Sequence, residues 1–90
     1  MNIRFSPDLL TSLQRIKRKD HKLLLQIQKQ LKLFQTNPKH HSLRLHKLSG
    51  RLQNQWSISI NRSIRMVYIA MNKDEAYFVA IGTHDEVYRK

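Results

Sequence analysis

The sequence predicts an α+β domain in which two helices come first and a mostly antiparallel sheet follows. Before Pro38, leucine and isoleucine recur every three to four residues, as on the buried face of a helix. After Pro38, apolar and polar residues alternate instead, and the connections between these stretches are short, which favours antiparallel neighbours. The expected order of the main elements is β-α-α-β-β-β, with the N-terminal helical hairpin packed on one face of the sheet.

The first elements are a short strand and a helix. Ile3 and Phe5 alternate with polar residues, which indicates a strand. Ser6 is suited to cap the helix that follows, because its hydroxyl can accept a backbone N–H from the first turn. Pro7 fits the first helical position, where no N–H is needed. The sequence therefore predicts that the first helix begins at Pro7.

The helical pattern is too long for one helix. A single helix over residues 7–35 would be about 43 Å long, whereas a domain of this size has a radius of gyration of about 12 Å. We therefore expect a break around Lys19-Asp20, with Asp20 capping the second helix of a hairpin.

The strands of the sheet follow Pro38. Leu43 and Leu45 predict a short strand. Residues 56–60 alternate between apolar and polar side chains, as in a strand with one buried face. Residues 64–71 are apolar on both faces, as expected of a central strand, and residues 75–81 form the last predicted strand.

Ninety residues predict a single domain, residues 1–90, and its charge is strongly basic. Seventeen Lys and Arg stand against six Asp and Glu, for a formal net charge of +11. Residues 1–72 carry 14 of the basic residues and only 2 acidic ones. Such an excess attracts polyanions. It predicts nucleic acid, a ribonucleoprotein or an acidic protein as the partner, with a merely soluble basic surface as the alternative.

Several classes of protein are disfavoured by composition. There is no cysteine, which removes thiol chemistry and cysteine-based zinc sites. No apolar run approaches the roughly 20 residues of a membrane span, and the N-terminus lacks the apolar stretch of a signal peptide. We expect a cytoplasmic protein without membrane association.

Arg65 is an unusual residue for its position. It lies within the most apolar predicted strand, where an unpaired charge is unfavourable. It could pair with Asp85 or Glu86, or reach solvent at the strand entrance. Equally, its guanidinium could be held on the sheet to bind a phosphate. The residues alone leave these interpretations open.

Two histidines occupy positions where chemistry is plausible. His84 follows Gly82 at the end of a strand, and His46 precedes the loop to Trp56. Histidine exchanges protons near neutral pH, although most such residues are simply solvated. A zinc site from His40, His41, His46 and His84 fits no common ligand spacing.

Three stretches of the sequence resemble the RelE/ParE superfamily of bacterial toxin–antitoxin toxins. They are Lys47-Leu-Ser-Gly-Arg-Leu-Gln-Asn-Gln-Trp-Ser-Ile-Ser-Ile60, Arg65-Met-Val-Tyr68 and Ile81-Gly-Thr-His-Asp-Glu-Val-Tyr88. The closing segment, with an aromatic residue four positions after His84, is most similar to ribosome-dependent mRNA interferases of the YafQ and YoeB type. The expected element order agrees with this RelE-like fold over nearly the whole chain.

The resemblance implies a function and a set of site residues. It implies an endoribonuclease that cleaves mRNA on the ribosome without a metal, using the ribose 2′-hydroxyl as nucleophile, and that is held in check by a cognate antitoxin. His46 matches an acid–base position, Arg65 the arginine on the scissile phosphate, His84 the C-terminal catalytic histidine and Tyr88 the aromatic that stacks on or orients the mRNA. We expect His46, Arg65 and His84 to meet on one face of the sheet, with Gly82 bending the chain inward.

The chain departs from the family pattern at four positions. Asn54-Gln55 replaces a frequent Gly-Tyr pair, and Ser59 and Ser63 stand where one branch has further acid–base residues. The ParE branch has this fold but acts on DNA gyrase without hydrolysis, so a gyrase-binding toxin or an inactive homologue is the alternative function.

Charge clustering predicts the surface that docks on ribosomal RNA. One group surrounds the expected helix break and another flanks His46. The predicted RNA- and ribosome-binding residues are Arg15, Lys17, Arg18, Lys19, Lys22, Lys39, Arg44, Lys47 and Arg51.

Overall fold

The computed structural model describes residues 1–48 and 54–88 and has an α+β architecture. The elements are β1 (Asn2–Phe5), α1 (Pro7–Lys19), α2 (His21–Thr36), a 3-10 helix (His41–Leu43), β2 (His46–Lys47), β3 (Gln55–Ser59), β4 (Ile64–Asn72), β5 (Glu75–Thr83) and α3 (His84–Tyr88). The predicted fold class is confirmed. None of the helices in the described ranges is long and apolar enough to cross a membrane.

Both predicted helix caps are present. The Ser6 hydroxyl accepts the backbone N–H of Leu9 at 3.1 Å, and Asp20 Oδ1 accepts that of Leu23 at 3.1 Å. Asp20 has non-helical backbone angles, so the chain turns there and α2 runs back along α1. The break matches the size of the molecule, because its longest axis is 33 Å.

The five strands form one sheet in the order β1-β5-β4-β3-β2. All neighbouring pairs are antiparallel except β1 and β5, which are parallel. Parallel neighbours need a long connection between them. The α1–α2 hairpin, which follows β1 in the sequence, is part of the connection from β1 to β5.

The α1–α2 hairpin covers one face of the sheet and forms the main core with it. Leu9, Ile27 and Phe34 from the helices pack against Met66, Tyr68 and Phe78 from the strands. The rings of Phe34, Tyr68 and Phe78 lie 5.1–5.4 Å apart, with edge-to-face or tilted geometry. Burial raises the pKa of the Tyr68 phenol to about 12. We call the opposite face of the sheet the outer face.

The outer face is covered by a second, smaller cluster. Leu48, Val67 and Val87 are buried there, and α3 supplies Val87. A bulge in the pairing of β4 with β5 makes this possible, because Val67 pairs with Ala80 while Tyr68 pairs with Phe78. The extra residue, Val79, shifts the alternation of β5 so that Gly82 pairs with Arg65.

The predicted strand at Leu43 and Leu45 is wrong. Leu43 ends the 3-10 helix with its side chain fully buried, and the short strand β2 begins at His46. Local hydrogen bonds explain the difference: His40 Nδ1 accepts the backbone N–H of Ser42 at 3.1 Å. Arg44 then adopts a left-handed conformation with φ of 46°, which ends the turn.

Candidate active site

His46, Arg65, His84 and Tyr88 line one cleft on the outer face. Its volume is about 330 Å³, and Arg44 and Leu45 complete its described wall. β2 brings His46 opposite Ser57, β4 brings Arg65 opposite Ser59 and Gly82, and α3 carries the other two residues. The structure thus brings together the four residues singled out in the sequence as catalytic candidates.

Arg65 is held along one edge of its guanidinium. Its Nε donates to Ser57 Oγ at 3.0 Å, and its Nη2 donates to the backbone oxygen of Arg44 at 2.7 Å. The left-handed turn at Arg44 directs that carbonyl toward β4. Within the described residues, Nη1 of Arg65 donates to no protein acceptor. This outer edge of the guanidinium is therefore available to an anion.

Arg65 forms no ion pair with a carboxylate in the described part of the chain. The Glu86 carboxylate accepts the backbone N–H of Thr83 at 2.7 Å. The Asp85 carboxylate lies 3.7 Å from Nδ1 of His84 instead. The two acids that could have neutralised Arg65 thus make their contacts at the start of α3, and the predicted alternative of an ion pair with either of them is not observed in the described residues.

Tyr88 contacts both histidines of the cleft. Its ring meets those of His46 and His84 edge-on, with centroids 5.8 Å and 4.2 Å away. Its hydroxyl is hydrogen-bonded to Ser57 Oγ. Because Ser57 also accepts from Arg65, one buried hydroxyl links the guanidinium to the phenol. The family resemblance gave no role to Ser57, and only the register of β3 against β4 reveals it.

α3 begins with a capping box that was not among the predicted features. Thr83 Oγ1 accepts the backbone N–H of Glu86 at 3.3 Å, and Glu86 Oε1 accepts the backbone N–H of Thr83. These hydrogen bonds hold the pKa of Glu86 below its usual value. The signal was present in the sequence as Thr83-His-Asp-Glu86. It turns the chain end into a helix that places His84 and Tyr88 one turn apart.

Gly82 has a different role from the predicted bend. It remains in β5 and pairs with Arg65. A Cβ at this position would lie 3.0 Å from Glu86 Oε1 and 3.1 Å from Glu86 Cβ. Gly82 therefore leaves room for the capping carboxylate, and the exposed His84 is presented by α3.

Asn54 and Ser59, two of the four departures from the family pattern, have local roles in the structure. Asn54 adopts a left-handed conformation with φ of 63°, which suits glycine and which asparagine also tolerates. Ser59 Oγ donates to the backbone oxygen of Asn61 at 2.8 Å, and the Ser63 N–H donates to Asn61 Oδ1 at 2.8 Å. The Ser59 side chain thus stabilises the turn between β3 and β4, whereas Ser63 contributes its backbone N–H, and Gln55 begins β3.

The predicted RNA-binding residues fall into two exposed groups. Arg15, Lys17, Arg18, Lys19 and Lys22 surround the turn between α1 and α2. Lys39, Arg44 and Lys47 lie around the approach to β2, and Arg51 lies outside the described residues. Lys47 Nζ is 5.8 Å from the centre of the Trp56 ring, a cation–π contact.

The histidines do not form a metal-ligand cluster in residues 1–48 and 54–88. His40 and His41 stack on each other, with ring centroids 4.5 Å apart. His46 and His84 both face Tyr88. The cleft thus combines two imidazoles, a guanidinium and a phenol, which are groups suited to proton transfer and to charge stabilisation at a phosphate.

Several solved structures that resemble this chain come from toxins of toxin–antitoxin systems. The chain is similar to a YoeB/ParE toxin from Agrobacterium tumefaciens, with 16% identity, a TM-score of 0.78, and coverage of 93% of this chain and 99% of that one. It is also similar to a chain of the heterotetrameric YoeB-YefM toxin-antitoxin complex from Staphylococcus aureus, at 25% identity, TM-score 0.77, and 93% and 97% coverage. YafQ from Escherichia coli strain BL21(DE3) matches at 15% identity, TM-score 0.76, and 97% of each chain.

The comparisons by sequence alone gave no significant match, either to a protein-family model or to a curated protein. The structural matches extend over almost the full length of both partners. The resemblance to RelE-superfamily toxins is therefore confirmed at the level of the fold.

Proposed function

We propose that this protein is the toxin of a type II toxin–antitoxin system and that it blocks translation by cleaving mRNA on the ribosome. The observation that carries the proposal is the convergence of His46, Arg65, His84 and Tyr88 on one cleft. The resemblance to mRNA interferases assigns site roles to these same four positions. The fold, shared with YoeB and YafQ toxins, supports the same assignment.

The proposed reaction needs one base, one acid and stabilisation of charge at phosphorus. His46 removes the proton of the ribose 2′-hydroxyl, and the oxygen attacks the adjacent phosphorus. The bond from phosphorus to the 5′-oxygen breaks, and His84 donates a proton to that leaving oxygen. The products are a 2′,3′-cyclic phosphate and a 5′-hydroxyl. Both histidines contact the ring of Tyr88 and line one cleft, which supports their action on the same nucleotide.

Arg65 and Tyr88 position the substrate in this scheme. Nη1 of Arg65 binds the non-bridging oxygens of the scissile phosphate, whose charge grows in the transition state. Donors of this kind contribute about 10²–10³ in rate. Tyr88 offers a ring to a base and a hydroxyl fixed by Ser57. No resident cofactor or metal is required, because the substrate supplies the nucleophile.

The proposed partners are the ribosome, mRNA and a cognate antitoxin, and the proposed location is the cytoplasm. The basic groups around the α1–α2 turn and β2 supply the electrostatic attraction to ribosomal RNA. The similar structures include toxins bound to the antitoxins YefM and DinJ, which supports a protein partner for this chain as well.

Expression without an antitoxin tests this function. Pulse-labelling of bacteria after induction should show that protein synthesis falls before DNA synthesis, together with cleaved mRNA. If DNA synthesis falls first and gyrase-linked DNA breaks accumulate, the protein is a gyrase toxin of the ParE kind and the ribonuclease proposal is wrong.

A further inference from the structure

A second cavity adjoins the candidate active site. Its volume is about 430 Å³, and it shares Arg44 and Arg65 with the cleft that holds the histidines. Its other described walls come from α2, from the 3-10 helix and from the turn between β3 and β4. Three arginines line it, Arg44, Arg62 and Arg65, and no carboxylate does among the described residues.

Hydrogen bonds between the walls hold this cavity in shape. Gln30 of α2 is buried, and its Nε2 donates to the backbone oxygen of Ser59 at 2.9 Å and to that of Ser42 at 3.4 Å. This single side chain joins the helix to β3 and to the 3-10 helix. Arg65 adds a further link through the Arg44 carbonyl.

The turn that carries Arg62 is also fixed. Asn61 Oδ1 accepts the backbone N–H groups of Ser63 and Ile64, each at 2.8 Å. Asn61 Nδ2 donates to Gln26 Oε1 of α2 at 2.9 Å. The turn is thus anchored to the helix, while Arg62 itself remains exposed at the rim of the cavity. A cationic side chain on a rigid turn beside two other arginines is a suitable anion receptor.

We propose that this cavity binds a phosphodiester that flanks the scissile one in the same RNA strand. The inference rests on the proposed function, since it takes the neighbouring cleft as the site of the scissile phosphate. Arg44 and Arg65 border both cavities, so a strand leaving the cleft past them enters the second cavity directly. Arg62 also lines the second cavity. The second phosphate fixes the direction in which the strand lies and sets the shortest strand that binds well.

Binding of short, all-2′-deoxy oligonucleotides tests this site without any cleavage. A dinucleotide has one internal phosphodiester and a trinucleotide has two. In NMR titrations at low salt, the trinucleotide should bind about three to five times more tightly than the dinucleotide, because it adds the second phosphodiester. The side-chain amide signals of Gln30 and Asn61 should shift with the trinucleotide and not with the dinucleotide.

Arg62→Gln should abolish that gain while leaving the affinity for the dinucleotide unchanged. Lys73→Gln is the matched control, because Lys73 is an exposed cation in the turn at the opposite end of β4. If the wild type gains nothing from the second phosphodiester, or if Arg62→Gln keeps the gain, the proposal is wrong. Shifts of the same amide signals with inorganic phosphate, without the gain on lengthening, would show a free-anion site and overturn it too.

The two proposals can fail separately. If tighter binding of the trinucleotide depends on Arg62 but mRNA on the ribosome is not cleaved, the second phosphate site is supported and the nuclease function is wrong. If mRNA is cleaved but the trinucleotide binds no more tightly than the dinucleotide, the nuclease function is supported and the second phosphate site is wrong.

Discussion

The hydroxyl of Ser57, on the outer face of the sheet, accepts a hydrogen bond from Nε of Arg65, with 3.0 Å between the two atoms. Ser57 is fully buried, and the same hydroxyl is hydrogen-bonded to Tyr88. A guanidinium on β4 and a phenol on α3 therefore share one fixed partner on β3. This linkage keeps the groups proposed to bind phosphate and base in constant relation to each other.

Removal of this hydroxyl should slow cleavage without weakening substrate binding. Ser57→Ala leaves Arg65 Nε and Tyr88 without their shared partner, and the loss of such a hydrogen bond costs about 1.4 kcal/mol, or roughly tenfold in rate. Single-turnover cleavage of mRNA on programmed ribosomes should fall by that factor at saturating enzyme, with the concentration for half-maximal rate nearly unchanged.

Ser63→Ala is the control for this variant, because Ser63 is exposed and the turn uses its backbone N–H. It should cleave like the wild type. A wild-type rate for Ser57→Ala, with its fold intact by circular dichroism, would show that the linkage between Arg65 and Tyr88 does not matter for the reaction.

The start of α3 should be sensitive to acid. Because its hydrogen bonds with Thr83 lower the pKa of Glu86, the ionised carboxylate stabilises the folded helix. This contribution is complete above the ordinary glutamate pKa and disappears as the pH falls through the lower folded-state value. The Thr83 amide, which donates to Glu86, should change its NMR shift and exchange faster in that range.

Glu86→Gln should remove this pH dependence while the amide oxygen still accepts from Thr83. Asp74→Asn, in the exposed turn between β4 and β5, should leave it unchanged. A Thr83 amide that titrates identically in Glu86→Gln and in the wild type would contradict the capping role of Glu86.

The exposed cations around the α1–α2 turn should control attachment to the ribosome. We expect the triple variant Lys17→Gln, Arg18→Gln and Lys22→Gln to bind ribosomes with a weaker salt dependence. The negative slope of log affinity against log salt should become less steep by about 0.7–0.9 for each phosphate that the variant no longer neutralises. Sedimentation of the variant with ribosomes across a series of salt concentrations measures the slope.

An equal change of charge elsewhere provides the control. Lys29, Lys32 and Lys73 are exposed and lie outside both predicted basic groups, so their substitution by Gln should alter the slope less. Equal slopes for the two triple variants would mean that net charge matters and the location does not.

The helices and the main strands were predictable because their signals are local. Ser6, Pro7 and Asp20 act within one turn of their own position, so the sequence alone places the helix starts. The alternation in β3 likewise reports which face is buried. These are short-range effects of capping and burial, and the structure reproduces them.

The rest of the site depends on long-range register. The extra residue Val79 in β5 decides that Gly82 and α3 lie on the outer face, and no local pattern marks it. Ser57 gains its role only because β3 pairs with β4 in one register. By contrast, the residues of the capping box, Thr83 and Glu86, are visible in the sequence. They did not lead to a predicted helix because α3 has only five residues and lacks the repeated apolar pattern that marks longer helices.

The most direct test of the proposed function is single-turnover cleavage of mRNA on programmed ribosomes by Arg65→Ala and His84→Ala, beside the wild type and Lys73→Ala. The wild type and Lys73→Ala should release fragments with a 5′-hydroxyl. Arg65→Ala should be slower by about 10²–10³, because the phosphorane loses its cation. His84→Ala should be slower by at least about 10², because the leaving oxygen loses its proton donor. Cleavage at the wild-type rate by either folded variant would contradict the assignment of this cleft as the active site.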